Sequence, residues 1–300
     1  VNSLDPRVLA RLKNLALRAR TVVDGVMVGI HPSRAKGFSS EFQGHREYAD
    51  GDDIRHVDWK AYGKFDRYFI KEYRETTNLR AHLVLDGSAS MAYGSKEWTK
   101  FDYASTLVAS LAYLLLRQQD AAGLVTFSDR IETMVPSKAT RGHLFAILDV
   151  LQQRKPAAET STGAILQELA GALGRKGLVI LVSDLLDEPD EVLRGLKQLR
   201  SRGHDVMVFH ILDHDELEFP FDRPTLFLDM EEDLRLRAEP KVIRSAYLET
   251  LAGLMKQYRD GCAANLIDYA LFDTSSNLEM PLVRYLTWRA HLRAGPGAVA

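Results

Sequence analysis

The chain has 300 residues, 46% hydrophobic and 27% charged, a balance that excludes intrinsic disorder and allows one sizeable core plus an accessory region. A formal net charge of -2 supplies no global basic field, so nucleic-acid binding driven by counterion release has no compositional support, and no nucleic-acid partner is expected. Cys262 is the sole cysteine, which excludes an intrachain disulfide and a cysteine-based zinc site and points to a reducing, cytoplasmic setting.

Taken in chain order, residues 4–20 (LDPRVLARLKNLALRAR) read as an amphipathic helix. Asp5 can cap it, Pro6 suits the first turn, and Leu4, Val8, Leu12, Leu15 and Leu17 fall largely on one side. A docked helix with a solvated basic face accounts for it better than a membrane-surface helix. No stretch reaches the roughly eighteen uninterrupted apolar residues of a membrane-spanning helix, and the N-terminus lacks a signal-peptide pattern, so no membrane-spanning segment is expected. Residues 37–75 are rich in aromatic and charged residues, carry Gly51-Asp52-Asp53, and lack long apolar runs. With the preceding helix they are expected to form an accessory region, 1–78, packed on the core; Phe38, Phe42, Tyr48, Trp59, Tyr62 and Phe65 would otherwise leave a large apolar patch exposed.

From residue 79 short apolar runs alternate with helical patterns, which predicts an α/β core with a mostly parallel sheet flanked by helices, a Rossmann-like architecture, over 79–230. Strands are expected at 82–85, 122–127 and 131–135, the last an antiparallel edge because only a short turn precedes it. The run 177–183 (GLVILVS) is so uniformly apolar that it predicts a central strand buried on both faces, and 205–212 another strand. Helices are expected at 101–117, 141–151, 163–173 and 189–200, with a further short strand at 225–228. Residues 231–300 complete the core with a helix at 242–258, a strand at 265–271 and a last helix near 282–291.

The chemistry concentrates where the first core strand ends, at Asp86-Gly87-Ser88-Ala89-Ser90. Ligands of open α/β sheets bind beyond the carboxyl ends of the strands, and Asp184 stands at the equivalent end of the strongest central strand. Thr160, in a polar loop before another helix, can reach the same edge. Two carboxylates and three hydroxyls are hard oxygen donors, a set that favours Mg²⁺ or Mn²⁺ over zinc or copper and leaves a coordination position for an outside oxygen. None of these three loops carries a basic residue, so the metal-free site is expected to hold two mutually repelling carboxylates. His210 and His214 with Asp213 and Asp215 are dense in metal-ligand types, but the strand-like 209–211 run denies them helical spacing, and zinc is not expected there. Neither a phosphate-binding P-loop nor a Gly-x-Ser-x-Gly nucleophile elbow occurs.

The run DGSASM, a Thr some seventy residues later and an Asp closing an apolar strand resemble the metal-ion-dependent adhesion site (MIDAS) of von Willebrand factor A (VWA) domains. The longer pattern GFSSEFQGHREYADGDDIRHVDWKAY, then DGSASM, then TSTGAILQELAGALGRKGLVILVSDLLDEPDE is similar to the bacterial family called domain of unknown function 58. That resemblance implies a metal site made by Asp86, Ser88, Ser90, Thr160 and Asp184, with no catalytic residues. It also implies a metal-dependent interaction module that takes an Asp or Glu carboxylate from a protein partner, of which a MoxR-type AAA+ ATPase is the suggested class. The alternative from chemistry alone is a metal-dependent hydrolase of phosphate esters, with Asp184 or Asp187 as general base.

Overall fold

The computed structural model describes residues 6–29, 42–48, 62, 67–73, 79–140, 142–157, 161–230 and 235–294. The chain divides into two compact units, one of Val1–Met27 with Leu79–Ala300 and one of Val28–Asn78. In the smaller unit strands β1 (Phe42–Glu47) and β2 (Phe69–Tyr73) pair antiparallel, with Glu47 opposite Phe69. Tyr48 N donates to the Tyr68 carbonyl at 2.9 Å. The Tyr68 ring stacks on Tyr62 at 4.6 Å and meets Tyr48 edge-on at 6.3 Å, so part of the aromatic surplus is used inside this unit. Gly51, Asp52, Asp53, Arg55, Asp58 and Trp59 lie outside the described residues.

The larger unit opens with helix α1 (Pro6–Gly29) and continues from β3 (Arg80–Asp86) through a 3-10 turn at Ala89–Ala92 to α2 (Lys100–Arg117). Strands β4 (Ala121–Phe127) and β5 (Ile131–Lys138), helices α3 (His143–Gln153) and α4 (Thr162–Ala172), strand β6 (Leu178–Ser183) and helix α5 (Pro189–Ser201) follow. Beyond these come β7 (Asp205–Leu212), the short α6 (His214–Glu218), β8 (Thr225–Leu228) and β9 (Arg235–Ala238). The chain closes with α7 (Pro240–Ala264), β10 (Asp268–Asp273) and α8 (Glu279–Ala294).

Six strands form the central sheet in the order β10-β7-β6-β3-β4-β5, all parallel except the edge strand β5, which runs antiparallel to β4. Every residue of β6 is buried, as a strand covered on both faces requires. One face packs Val84, Val125, Val179, Leu181 and Val208 against Ile165 and Leu169 of α4, Val192 and Leu196 of α5, and Tyr258 of α7. Helix α2 touches β3, β4, β6 and β7 and also α8. Close approach of α4 and α5 depends on glycine: a Cβ on Gly195 would stand 2.6 Å from Leu166 Cβ and 3.0 Å from the Gly163 carbonyl oxygen.

Two expectations are corrected. Helix α1 runs to Gly29 rather than to residue 20, and its buried residues include Ala19, Val23 and Val26, whereas Leu17 is 62% exposed. Leu17 falls off the expected stripe, while Ala19, Val23 and Val26 continue it at helical spacing from the half-buried Leu15. Residues 225–228 do form a strand, but it pairs with β9 in a separate two-stranded sheet, and the sixth strand of the central sheet is β10. A four-residue segment with alternating exposure lacks the two buried faces a parallel strand needs, while α7 supplies the crossover that β10 requires.

Candidate metal centre

The connections leave β3 and β6, which are parallel neighbours, towards opposite sides of the sheet, β3 to β4 and β6 to β7, and both strands deliver an aspartate at their carboxyl ends. This is the topological switch point at which open α/β sheets bind ligands. Asp86, the last residue of β3, is 1% exposed; its Oδ1 accepts from Ser88 N at 2.9 Å and its Oδ2 from the Ser183 hydroxyl at 2.6 Å. The hydroxyls of Ser88 and Ser90 lie 3.0 Å apart, both buried, so one loop presents a carboxylate and two hydroxyls together. Gly87 keeps that loop close to its neighbours. Its N–H donates to Phe127 O at 2.7 Å, and its carbonyl accepts from Ala157 N at 3.0 Å and from Arg154 Nη2 at 2.8 Å. A Cβ there would stand 2.6 Å from Arg154 Nε, and that guanidinium also pairs with Glu132 at 2.7 Å.

Asp184 follows β6 directly and is 1% exposed. Its Oδ2 accepts from Lys100 Nζ at 2.8 Å and its Oδ1 from Leu186 N at 3.4 Å. The next residue, Leu185, adopts a left-handed backbone with φ 53, a conformation that costs a leucine energy. It is held by burial of its side chain, by Leu185 N donating to Ser183 Oγ at 2.9 Å, and by the Tyr258 hydroxyl, which its carbonyl shares with that of Asp187, each at 3.1 Å. His210 braces the same turn. The Asp184 carbonyl can only accept, so His210 Nε2 carries the hydrogen at 2.7 Å, and Nδ1 accepts from the Tyr269 hydroxyl at 2.7 Å. Burial lowers the His210 pKa to about 4, against the opposing pull of Asp184, and the ring is neutral at neutral pH.

Lys100 corrects the picture of two bare carboxylates. This wholly buried lysine opens α2, outside the three loops, and its ammonium bridges Asp184 Oδ2 at 2.8 Å and Glu216 Oε1 at 2.7 Å. Burial alone would lower its pKa, but the Asp184 and Glu216 carboxylates more than reverse that and keep it charged. The strain therefore falls on Asp86, whose partners are a backbone N–H and a hydroxyl. Burial first, and then the field of Asp184, raise the Asp86 pKa to about 7 against the hydrogen bonds from Ser183 and Ser88.

Of the five residues read from the sequence, Asp86, Ser88, Ser90 and Asp184 lie at one edge of the sheet, and Thr160 lies outside the described residues. Among the described residues no group of three or more His, Cys, Asp or Glu is placed to hold a metal, so a metal site must draw on hydroxyls. The cluster of Asp86, Ser88 and Ser90 meets that condition with oxygen donors suited to Mg²⁺ or Mn²⁺. Asp184 would add a second carboxylate, with Lys100 already on one of its oxygens. Zinc at His210 and His214 has no support, since both His210 nitrogens are engaged and His214 Nδ1 pairs with Asp273 at 2.8 Å.

Sequence reasoning missed Lys100, Ser183, Glu216 and Arg154. One signal was available for Lys100: a cation in the first turn of a helix faces the positive end of the macrodipole and needs an acidic partner. Ser183 likewise stood out as the one polar residue of LVILVS.

Among the described residues no helix is long and apolar enough to cross a membrane. Two uncharacterized proteins, Mb1516 of Mycobacterium bovis and Rv1480 of Mycobacterium tuberculosis, are each 26% identical over 269 residues, covering 89% of this chain and 81% of theirs. Similar solved structures include BatB from Bacteroides thetaiotaomicron, at 14% identity and TM-score 0.49, over 71% of this chain and 99% of that one. The SpRpn10 VWA domain is similar at 12% identity and TM-score 0.41, over 69% of this chain and 95% of that one. The model of the family described as Protein of unknown function DUF58 matches residues 44–254, well over half of the chain, and the chain belongs to that family.

Proposed function

We propose that this chain is a VWA-type protein-interaction module in which Asp86, Ser88 and Ser90, with Asp184 and Thr160, hold one Mg²⁺ or Mn²⁺ ion. The observation that carries this reading is the buried group of one carboxylate and two hydroxyls at the switch point of a doubly wound sheet. When bound, the ion supplies an open coordination position and a positive charge only partly neutralised by its ligands. The chain's own residues fix the rest. Gly87 and Arg154 hold the first loop, and His210 and Tyr258 hold the turn after β6. An Asp or Glu carboxylate from a partner protein is the ligand such a site takes. Family resemblance supports a MoxR-type AAA+ ATPase as the partner, with this chain as its adaptor.

The phosphate-ester hydrolase reading requires a free general base. Asp187 accepts from Gly163 N at 3.3 Å and from Glu188 N at 2.7 Å, and Asp184 carries Lys100, so both candidates are engaged and the interaction reading is preferred. Affinity capture in Mg²⁺ tests the choice. The partner should be retained in Mg²⁺, released by EDTA, and lost in Asp86→Ala or in Ser88→Ala/Ser90→Ala while the fold persists. Unchanged capture by the variants, or Mg²⁺-dependent phosphatase turnover abolished by Asp86→Ala, would overturn it.

A further inference from the structure

We propose that Lys100 is a positioning residue that competes with the divalent ion for Asp184, with Glu216 as the second seat that keeps the ammonium in place when Asp184 turns to the metal. This rests on the metal-centre reading above. The geometry is specific. Lys100 is 0% exposed and its Nζ lies 2.8 Å from Asp184 and 2.7 Å from Glu216, so the ammonium is held between two carboxylates out of solvent. Asp184 Oδ2 has Lys100 as its close partner, and the bond to Oδ1 from Leu186 N is long at 3.4 Å. The aspartate is therefore held mainly by the lysine and can be shared with a second cation.

Glu216 is built as a fixed seat. Its Oε2 accepts from Asp213 N at 2.7 Å as part of the capping box of α6, which aims Oε1 at Lys100. The macrodipole of α2 repels an ammonium at its N-terminus, so Lys100 is kept there by these two carboxylates. A divalent ion arriving beside Asp86 must draw Asp184, one of the two anions that hold Lys100, away from the ammonium. That competition weakens metal affinity. It also leaves Asp184 partly neutralised, so a bound ion keeps more of its charge for the partner's carboxylate.

The test is Mg²⁺ titration alone, by calorimetry on the full chain, comparing wild type, K100M/E216Q, E216Q and D86A, with circular dichroism to confirm folding. K100M/E216Q keeps the net charge of the wild-type group, so tighter binding cannot be a bulk-charge effect. It should bind Mg²⁺ at least about tenfold more tightly, because removing a cation within a few ångströms at an effective dielectric near 20 is worth well over tenfold and the accompanying loss of the Glu216 carboxylate offsets only part of it. E216Q, in which Asp184 becomes the lysine's only anion, should bind more weakly and serves if the double variant does not fold. Equal or weaker binding by K100M/E216Q, or unchanged or tighter binding by E216Q, overturns the competition while loss of binding in D86A still upholds the metal centre. No binding by any protein, or binding by D86A equal to wild type, overturns both.

Discussion

Asp86→Asn isolates the cost of the one uncompensated charge in the centre. A carboxyl whose pKa is 3.8 when exposed and about 7 in the fold makes the ionised folded state less stable by about 4 kcal/mol. The sign follows from proton binding. Between about pH 4 and pH 7 the folded protein holds a proton that the unfolded chain has lost, so stability falls as pH rises through this window and levels off above it. Asparagine removes the charge but changes the bonds to Ser88 N and Ser183 Oγ, at a cost of about 1–2 kcal/mol. In EDTA near pH 8 the variant should therefore exceed wild type by about 2–3 kcal/mol in urea unfolding, and near pH 5 the advantage should vanish or reverse. Added Mg²⁺ should erase the difference at pH 8, since wild type gains about 2.7 kcal/mol at a hundredfold excess over Kd and the variant, lacking a ligand, does not, and a thousandfold excess, worth about 4.1 kcal/mol, should invert the order. A variant less stable than wild type in EDTA at pH 8, or a difference independent of pH, would refute the claim that burial and Asp184 destabilise this carboxylate.

Gly195→Ala should cost about 1–3 kcal/mol in urea unfolding, because its Cβ would meet Leu166 Cβ at 2.6 Å and the Gly163 carbonyl at 3.0 Å, and neither is the flexible end of a side chain. A neutral result would show that α4 and α5 can part without loss. His210→Leu should cost about 2 kcal/mol or more at pH 8, since it leaves the Asp184 carbonyl and the Tyr269 hydroxyl without their partner, and the loss should shrink by about 1.4 kcal/mol towards pH 5.5, because the unfolded chain's imidazole then takes up a proton that the buried ring refuses. A loss that grows on acidification would mean that the protonated ring contributes.

The sheet was legible because parallel strands covered on both faces leave continuous apolar runs, and LVILVS and DVMVFHIL are such runs. Antiparallel β5 was legible for a local reason, the short Phe127-Ser128-Asp129-Arg130 connection, which leaves no room for a crossover. β8 and β10 were harder. A four-residue strand and a strand that begins three residues after the expected point differ little in composition, and what separates them is which one α7 brings beside β7. The aspartates and serines of the centre were legible because they stand at strand ends within one short loop or directly after a strand. Their supports were not, because each support is distant in the chain: Lys100 meets Asp184 across 84 residues, and Ser183 meets Asp86 across 97.

Lys100 shows what a sequence can still say about such distant partners. Thr99 and Asp102 form a capping box, the arrangement that best suits the positive end of a helix, and the same turn carries a lysine whose charge opposes it. Local preference and local charge disagree there, and a buried cation whose one acidic neighbour in the turn, Asp102, is committed to Thr99 must be satisfied by tertiary structure. The fold resolves the conflict by bringing the carboxyl end of β6 and the first turn of α6 to the same ammonium. The lysine is thus satisfied by an anion from each. The misplaced charge marks the centre's edge independently of the Asp-x-Ser-x-Ser pattern, and the two signals meet at Asp184.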